Sequence, residues 1–206
     1  MIMNKFHPLT ITSINRLTAD AVAISFNVSN NTLFQFEAGQ YITIKKDING
    51  EEVRRAYSIC SMNSEGVTIG VKKVETGRMS SFLTQSVKEG DVLNVMPPSG
   101  NFVIKGDNKH IVGICAGSGV TPIIAMIKTE LAKPSDAKFT LIYGNKTKDS
   151  SMFAEELHQL QINNSDRLKI HNAYSREGVA GAINGRLDKN TIQQLLNTFM
   201  SLKTAD

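Results

Sequence analysis

Arg54-Arg55-Ala56-Tyr57-Ser58-Ile59-Cys60-Ser61 is the stretch on which the reading of this chain turns. It follows Asp47-Ile48-Asn49-Gly50, a turn signal, and so reads as a strand leaving a hairpin. Side chains alternate along a strand, which puts Arg55 and Tyr57 on one face and Ser58 on the other. A fixed cation beside a phenol suits a ligand carrying both a phosphate and a flat ring. Alone, the same residues read equally well as an edge strand whose arginine and tyrosine meet water and core.

The 206 residues allow one large domain or two small ones, and 41% hydrophobic content is enough for a buried core. The net charge of +4, from 23 basic and 19 acidic residues, is not gathered into any lysine-arginine run. Nucleic-acid binding is therefore not indicated, whereas anionic small ligands or an acidic protein partner are compatible. Cys60 and Cys115 lie far apart in apolar segments, as expected of buried thiols in a reducing compartment. The four histidines lack ligand spacing, so no metal site is expected. Met1-Ile2-Met3-Asn4-Lys5 has no signal-peptide core, and no apolar run reaches membrane-spanning length. A soluble cytoplasmic protein without a membrane or nucleic-acid partner is the expectation.

From Leu9 to about Pro97 the signal is short strands. Val22, Ile24, Phe26 and Val28 alternate with small or polar residues, the pattern of a half-buried strand. Tyr41 to Ile44, the arginine-tyrosine strand, Gly66 to Val74 and Val92 to Val95 follow, the last stopped by Pro97-Pro98. This spacing predicts a small antiparallel barrel over 1–104, interrupted by one helix at Ser80 to Val87. Past the polar stretch at Ile104 to Lys109, strands alternate with helices. The segments are His110–Cys115 with Thr121–Leu131, Phe139–Tyr143 with Met152–Leu160, and Leu168–Tyr174 with Leu187 to about Leu202. Three strand-helix units predict a parallel-sheet domain over 110–206. The fold class is thus β followed by α/β.

Three further segments carry chemistry. Thr76-Gly77-Arg78-Met79-Ser80-Ser81 opens the lone helix, where free N–H groups and the serine hydroxyls can hold an anion. Taken alone, an ordinary serine N-cap is the favoured reading there. Gly113-Ile114-Cys115-Ala116-Gly117-Ser118-Gly119-Val120-Thr121-Pro122 joins the first strand and helix of the second half. Its glycines let backbone approach a phosphate at a helix start, with proline in the first turn. Tyr143-Gly144-Asn145-Lys146 and Tyr174-Ser175-Arg176-Glu177 end the next two strands, where α/β sheets take their ligands. Ser175 and Arg176 could bind a 2′-phosphate or be a solvated loop; the chemistry alone weighs these equally. Arg186 after Gly185 is a further candidate contact.

Together these segments, in this order, resemble the ferredoxin–NADP⁺ reductase superfamily. Arg55-Ala56-Tyr57-Ser58 is similar to its R-x-Y-S flavin motif. There the arginine holds the FAD pyrophosphate, the tyrosine stacks on the isoalloxazine, and the serine lies near flavin N5. Val71, Lys72 and Val74 fit the family strand beside the flavin, and Gly77, Arg78, Met79, Ser80 and Ser81 its second FAD segment. Gly117, Ser118, Gly119, Thr121 and Pro122 resemble the family's G-x-G-x-x-P loop, which receives the pyridine nucleotide; Gly144 and Asn145 join them as candidates by their place at a strand end. Ser175-Arg176-Glu177 looks like the S-R-E of NADP-using members, which favours NADPH over NADH.

The chain most resembles reductase components of multicomponent oxygenases of the phenylacetyl-CoA type. The resemblance implies hydride transfer from nicotinamide C4 to flavin N5, with Tyr57 and Ser58 nearest the chemistry. Electrons then pass to a ferredoxin-like iron–sulfur acceptor. Two cysteines cannot hold such a centre, so it would belong to a missing domain or a separate partner. In that family a further strand carries a C-G-P motif. This chain stops at Lys203-Thr204-Ala205-Asp206, where that strand would begin, and the expectation is of a truncated chain. The alternatives are an NAD(P)H:flavin reductase and a non-enzymatic FAD-containing electron-transfer protein.

Overall fold

The hairpin that opens the decisive stretch forms as its sequence demands. In the computed structural model, which describes residues 5–29 and 31–201 (side chains of 198–201 apart), strand β3 (Tyr41–Ile48) turns into β4 (Glu51–Ser58). Ile48 pairs with Glu51, and Asn49 and Gly50 take φ of 57° and 78°, the two positive angles of a tight twisted turn. The Asp47 side chain accepts the Gly50 N–H at 3.0 Å, closing it.

Before this hairpin come β1 (His7–Thr18) and β2 (Ala21–Phe26); after it come β5 (Thr68–Lys72), α1 (Arg78–Gln85) and β6 (Val92–Ser99). These strands make one antiparallel sheet in the order β4-β3-β6-β1-β2-β5, curled around a core that includes Ile11, Ile24, Ile42, Ile44, Ile69 and Leu83. The antiparallel half expected from strand spacing is therefore present.

Two local expectations are corrected. β6 does not stop at Val95 but runs through Pro97-Pro98 to Ser99. The pairing of β3 with β6 shifts register between Tyr41 and Thr43, and that irregularity accommodates residues that cannot donate to a ladder. β2 is not half-buried: Val22, Ile24 and Phe26 face the sheet's own core, while Ala21 and Ala23 face the second half of the chain. The small residues there are an interface, not a solvent face.

The second half is a parallel sheet in the order β10-β9-β8-β7, built from β7 (His110–Ala116), β8 (Lys138–Asn145), β9 (Leu168–Tyr174) and β10 (Ile183–Asn184). Helices α2 (Val120–Ala132), α3 (Ala154–Asn163) and α4 (Lys189–Ser201) connect and cover it. The two-residue β10 carries too little pattern to be seen in sequence. The helix expected from Met152 starts at Ala154 because Phe153 takes a left-handed φ of 58° at its N-cap. The helix expected from Leu187 starts at Lys189, since Leu187 turns back to pack on Gly144. Its expected end at Leu202 lies outside the described residues.

α2 is buried nearly all round, at Val120, Ile123, Ile124, Ala125, Met126 and Ile127, because it lies between the parallel sheet and the curled sheet. Each such aliphatic side chain contributes about 1.5–3 kcal/mol of burial. β7 is the outermost strand of the described sheet, with Val112 and Ile114 38% and 39% exposed. No helix among the described residues is long and apolar enough to cross a membrane.

Candidate functional site

Where the two halves meet, β4, β5, the start of α1 and the start of α2 enclose a cleft of about 580 Å³. It gathers segments far apart in sequence: Arg55 to Ser58, Lys72 to Ser80 in part, and Ser118 to Pro122 in part. In β4, Ile44 stands opposite Arg55 and Ile42 opposite Tyr57, so the alternation read from sequence holds. The Arg55 guanidinium donates to the Arg54 carbonyl at 2.7 Å and makes no ion pair among the described residues, leaving donors for an anion. Burial pushes the Tyr57 phenol up to about 12 despite the opposing charge of Arg55, so it presents a neutral ring.

The far wall is a braced loop. Gly77 donates its N–H to Val74 O at 2.9 Å. The Ser80 hydroxyl accepts the Val74 N–H and donates to Gly77 O, both at 3.1 Å. Its proton is held by the Gly77 carbonyl, and Ser80 lines the cleft as expected. No side chain caps α1, so its first-turn N–H groups are the donors on this wall. Arg78 is held by the Glu51 carboxylate and the Ile48 carbonyl, which ties α1 to the hairpin tip. Val71 and Ser81 do not line the cleft. The Val71 side chain is in the sheet's core, and Ser81 spends its N–H on Gly77 O. Thr76, from the segment that opens the helix, lines it too, and so does Gly70, which was missed, having no charge or ring to mark it.

A second cleft, about 540 Å³, lies across the carboxyl ends of the parallel strands. Gly117 and Ser118 follow β7, Gly144, Asn145 and Lys146 end β8, Ser175 and Arg176 follow β9, and Arg186 follows β10. The loops are fixed to one another: Ser175 N–H donates to Asn145 O at 3.0 Å and Arg176 N–H to Lys146 O at 2.9 Å. The Tyr143 phenol, its pKa driven upward by burial, faces the carbonyls of Gly117 at 3.1 Å and Met152 at 3.3 Å. It pins the glycine loop. The Asn145 amide nitrogen approaches the phenol oxygen, which accepts from it, and the amide oxygen is buried without a hydrogen-bond partner. Lys146, Arg176 and Arg186 make no ion pair among the described residues. Lys146 lay in the segment marked at the end of the second parallel strand but was not itself named as a contact, although a basic residue there is a signal for one.

The two clefts adjoin. Lys72 and Ser118 line both, and Lys72 donates to Ser150 O at 2.8 Å and lies 3.5 Å from the Asp20 carboxylate.

The chain matches the model of the oxidoreductase FAD-binding domain over residues 8–104 and that of the oxidoreductase NAD-binding domain over residues 114–206. It belongs to the ferredoxin–NADP reductase superfamily. Among curated relatives it is 35% identical over 211 residues to a component of the 1,2-phenylacetyl-CoA epoxidase of Escherichia coli K12, an alignment covering 99% of this chain and 59% of that protein. It is 32% identical over 168 residues to the 3-ketosteroid-9-alpha-monooxygenase ferredoxin reductase component of Rhodococcus rhodochrous, covering 79% of this chain and 47% of that one. The chain thus spans between about half and three fifths of the length of these two relatives. The FAD/NAD-binding domain of a nitric oxide dioxygenase from Vibrio cholerae superimposes with a TM-score of 0.81 at 20% identity, over 97% of this chain and 94% of that one, a likeness of fold.

Both clefts fit the groups this superfamily binds. Unspent Arg55 donors, an uncapped helix start and a neutral half-buried ring suit FAD. The buried Asn145 amide oxygen without a partner suits a nucleotide donor, and Gly117, with a φ of 53° and open space where a Cβ would stand, suits its phosphates.

Proposed function

We propose that this chain is the flavin- and nucleotide-binding part of a reductase carrying electrons from NADPH through FAD to a ferredoxin-like iron–sulfur acceptor of a multicomponent oxygenase. The observation that carries the reading is that the two clefts share Lys72 and Ser118 as walls, which sets a flavin site and a nicotinamide site side by side. On this reading residues 1–104 hold FAD and 110–206 hold the pyridine nucleotide. Arg55 and the α1 start bind the pyrophosphate, Tyr57 covers the flavin ring, and Ser58 lies beside the reacting edge. Gly117 to Pro122 receives the nucleotide phosphates, and Asn145 orients its amide toward the bound nucleotide.

Lys146, Arg176 and Arg186 favour a 2′-phosphate, hence NADPH, because three unpaired cations at one rim match a dianion. Held in the first cleft by Arg55, Tyr57 and the α1 start, FAD would supply hydride-accepting and single-electron chemistry. The printed names of the two curated relatives, an epoxidase component and a monooxygenase reductase component, support an oxygenase as the partner system. The free thiols Cys60 and Cys115 suit a reducing cytoplasm.

Titration with FAD tests the site. Arg55→Ala removes a charge-assisted phosphate contact, about 1.5–3 kcal/mol, and lowers affinity by roughly one to two decades. Unchanged affinity in that variant would place the pyrophosphate elsewhere.

A further inference from the structure

The loop that the nucleotide would occupy is the leading end of α2, so the tilt of α2 against the curled sheet sets where that loop stands over Tyr57. Thr121 and Lys128 are seven residues apart, two turns, and therefore lie on one face of the helix about 10 Å from each other. That face meets the curled sheet at both positions. At the top, Thr121 abuts the backbone of Gly70, where even a Cβ would stand only 2.4 Å from Thr121 Cγ2. At the bottom, the Lys128 ammonium lies 2.8 Å from Glu65 Oε2, in the turn that precedes β5.

The anchor is already fixed before the lysine arrives. The Met62 N–H donates to the same Glu65 oxygen at 2.8 Å, so the carboxylate is oriented by its own turn. Lys128 also reaches Glu156 Oε1 on α3 at 3.1 Å, which locks the lysine to its own domain. Its side chain is only 13% exposed, while Glu65 and Glu156 are 40% and 43% exposed, so water screens the network from the carboxylate side. Burial works against the charge, but the two carboxylates outweigh it and hold the lysine above its ordinary pKa. Among the described residues, Lys128–Glu65 is the one ion pair joining the two halves.

We propose that Lys128 is a positioning residue, whose bridge to Glu65 fixes the tilt of α2 and thereby holds the Ser118–Pro122 loop over the flavin cleft. It touches neither cofactor. With the lower pin removed, that end of α2 is held by packing alone and shifts about the Thr121–Gly70 contact, so the nucleotide is presented at a less favourable distance. The inference rests on the flavin and nucleotide reading above.

Glu65→Gln removes the charge of the arm between the halves while leaving an acceptor for the Met62 N–H, and Glu156→Gln removes the charge of the arm within the second. In Glu65→Gln the rate at which NADPH reduces bound FAD is expected to fall about tenfold or more, since misplacement of reacting groups by an ångström costs that much. The dissociation constants for FAD and NADP⁺ should stay within about twofold, because each cleft is intact. Amide exchange in the first turns of α2 should quicken by about tenfold. Glu156→Gln should leave rate and exchange near wild type. A Glu65→Gln protein with wild-type rate and exchange overturns the proposal, as does a Glu156→Gln protein equally impaired. If NADPH fails to reduce the wild-type flavin, the function proposed above falls, and the exchange measurement alone still decides the tether.

Discussion

Arg176 shows how far a single residue could be read. Its place after a parallel strand was legible, since the strand Leu168 to Tyr174 emerged with those bounds. What sequence could not show is that Lys146 and Arg186, from two other strand ends, share its rim. Their company turns an even choice between solvated loop and phosphate ligand into a directional one. Arg176→Ala should weaken NADPH binding by roughly 1–2 kcal/mol, about five- to thirtyfold, at the lower end for a charged contact because the side chain is exposed. NADH binding should hardly change. Comparable losses for both nucleotides in equilibrium titrations would detach Arg176 from the 2′-phosphate. Arg55 and Tyr57 were legible for a simpler reason, since strand alternation alone sets their face. The partner of the Ser80 hydroxyl was not, because which acceptor takes a hydroxyl proton depends on the folded loop: here the Gly77 carbonyl claims it.

At the scale of elements, long periodic segments were legible and their ends were not. The hairpin at Asn49-Gly50 was written in turn chemistry, whereas β6 passing through two prolines depended on a register shift in its partner. The left-handed Phe153 that delays α3 is likewise a tertiary decision: its ring packs on Gly70 of β5, where the curled sheet meets α2. Nothing in an isolated glycine within a strand pattern tells whether it marks a bulge or a close approach. Here it is a close approach. A Cβ at Gly70 would stand 2.4 Å from Thr121 Cγ2 and 3.2 Å from both Met152 Cε and Phe153 Cζ. The methionine can yield, but a β-branched threonine on a buried helix has little rotamer freedom. Gly70→Ala should therefore cost about 1–3 kcal/mol by overpacking, read as a lower denaturant midpoint with an unchanged slope. Wild-type stability in that variant would mean the contact is looser than its geometry.

For the whole molecule, the polar stretch at Ile104 to Lys109 divides the sequence into halves that read as separate bodies. The core does not respect that division. Ala21, Ala23 and Cys60 from the first half are buried in one cluster with Val120, Ile124, Met126 and Phe153 from the second. That could not be read from sequence because alanines in a strand look like tolerated small residues until a helix is found lying on them. A shared core makes independent unfolding costly, since melting one half exposes apolar surface on the other. The chain should then unfold in one calorimetric transition, although its ligand cleft for FAD draws mainly on the first half. FAD at about a hundredfold excess over its dissociation constant stabilises whatever unfolds with the site by roughly 2.7 kcal/mol. At about 2–4 °C per kcal/mol for a chain of this size, the single transition should rise by roughly 5–10 °C as one. Two resolved transitions, with FAD moving only one of them, would show that the halves are held together by Lys128 and a few contacts rather than by a common core.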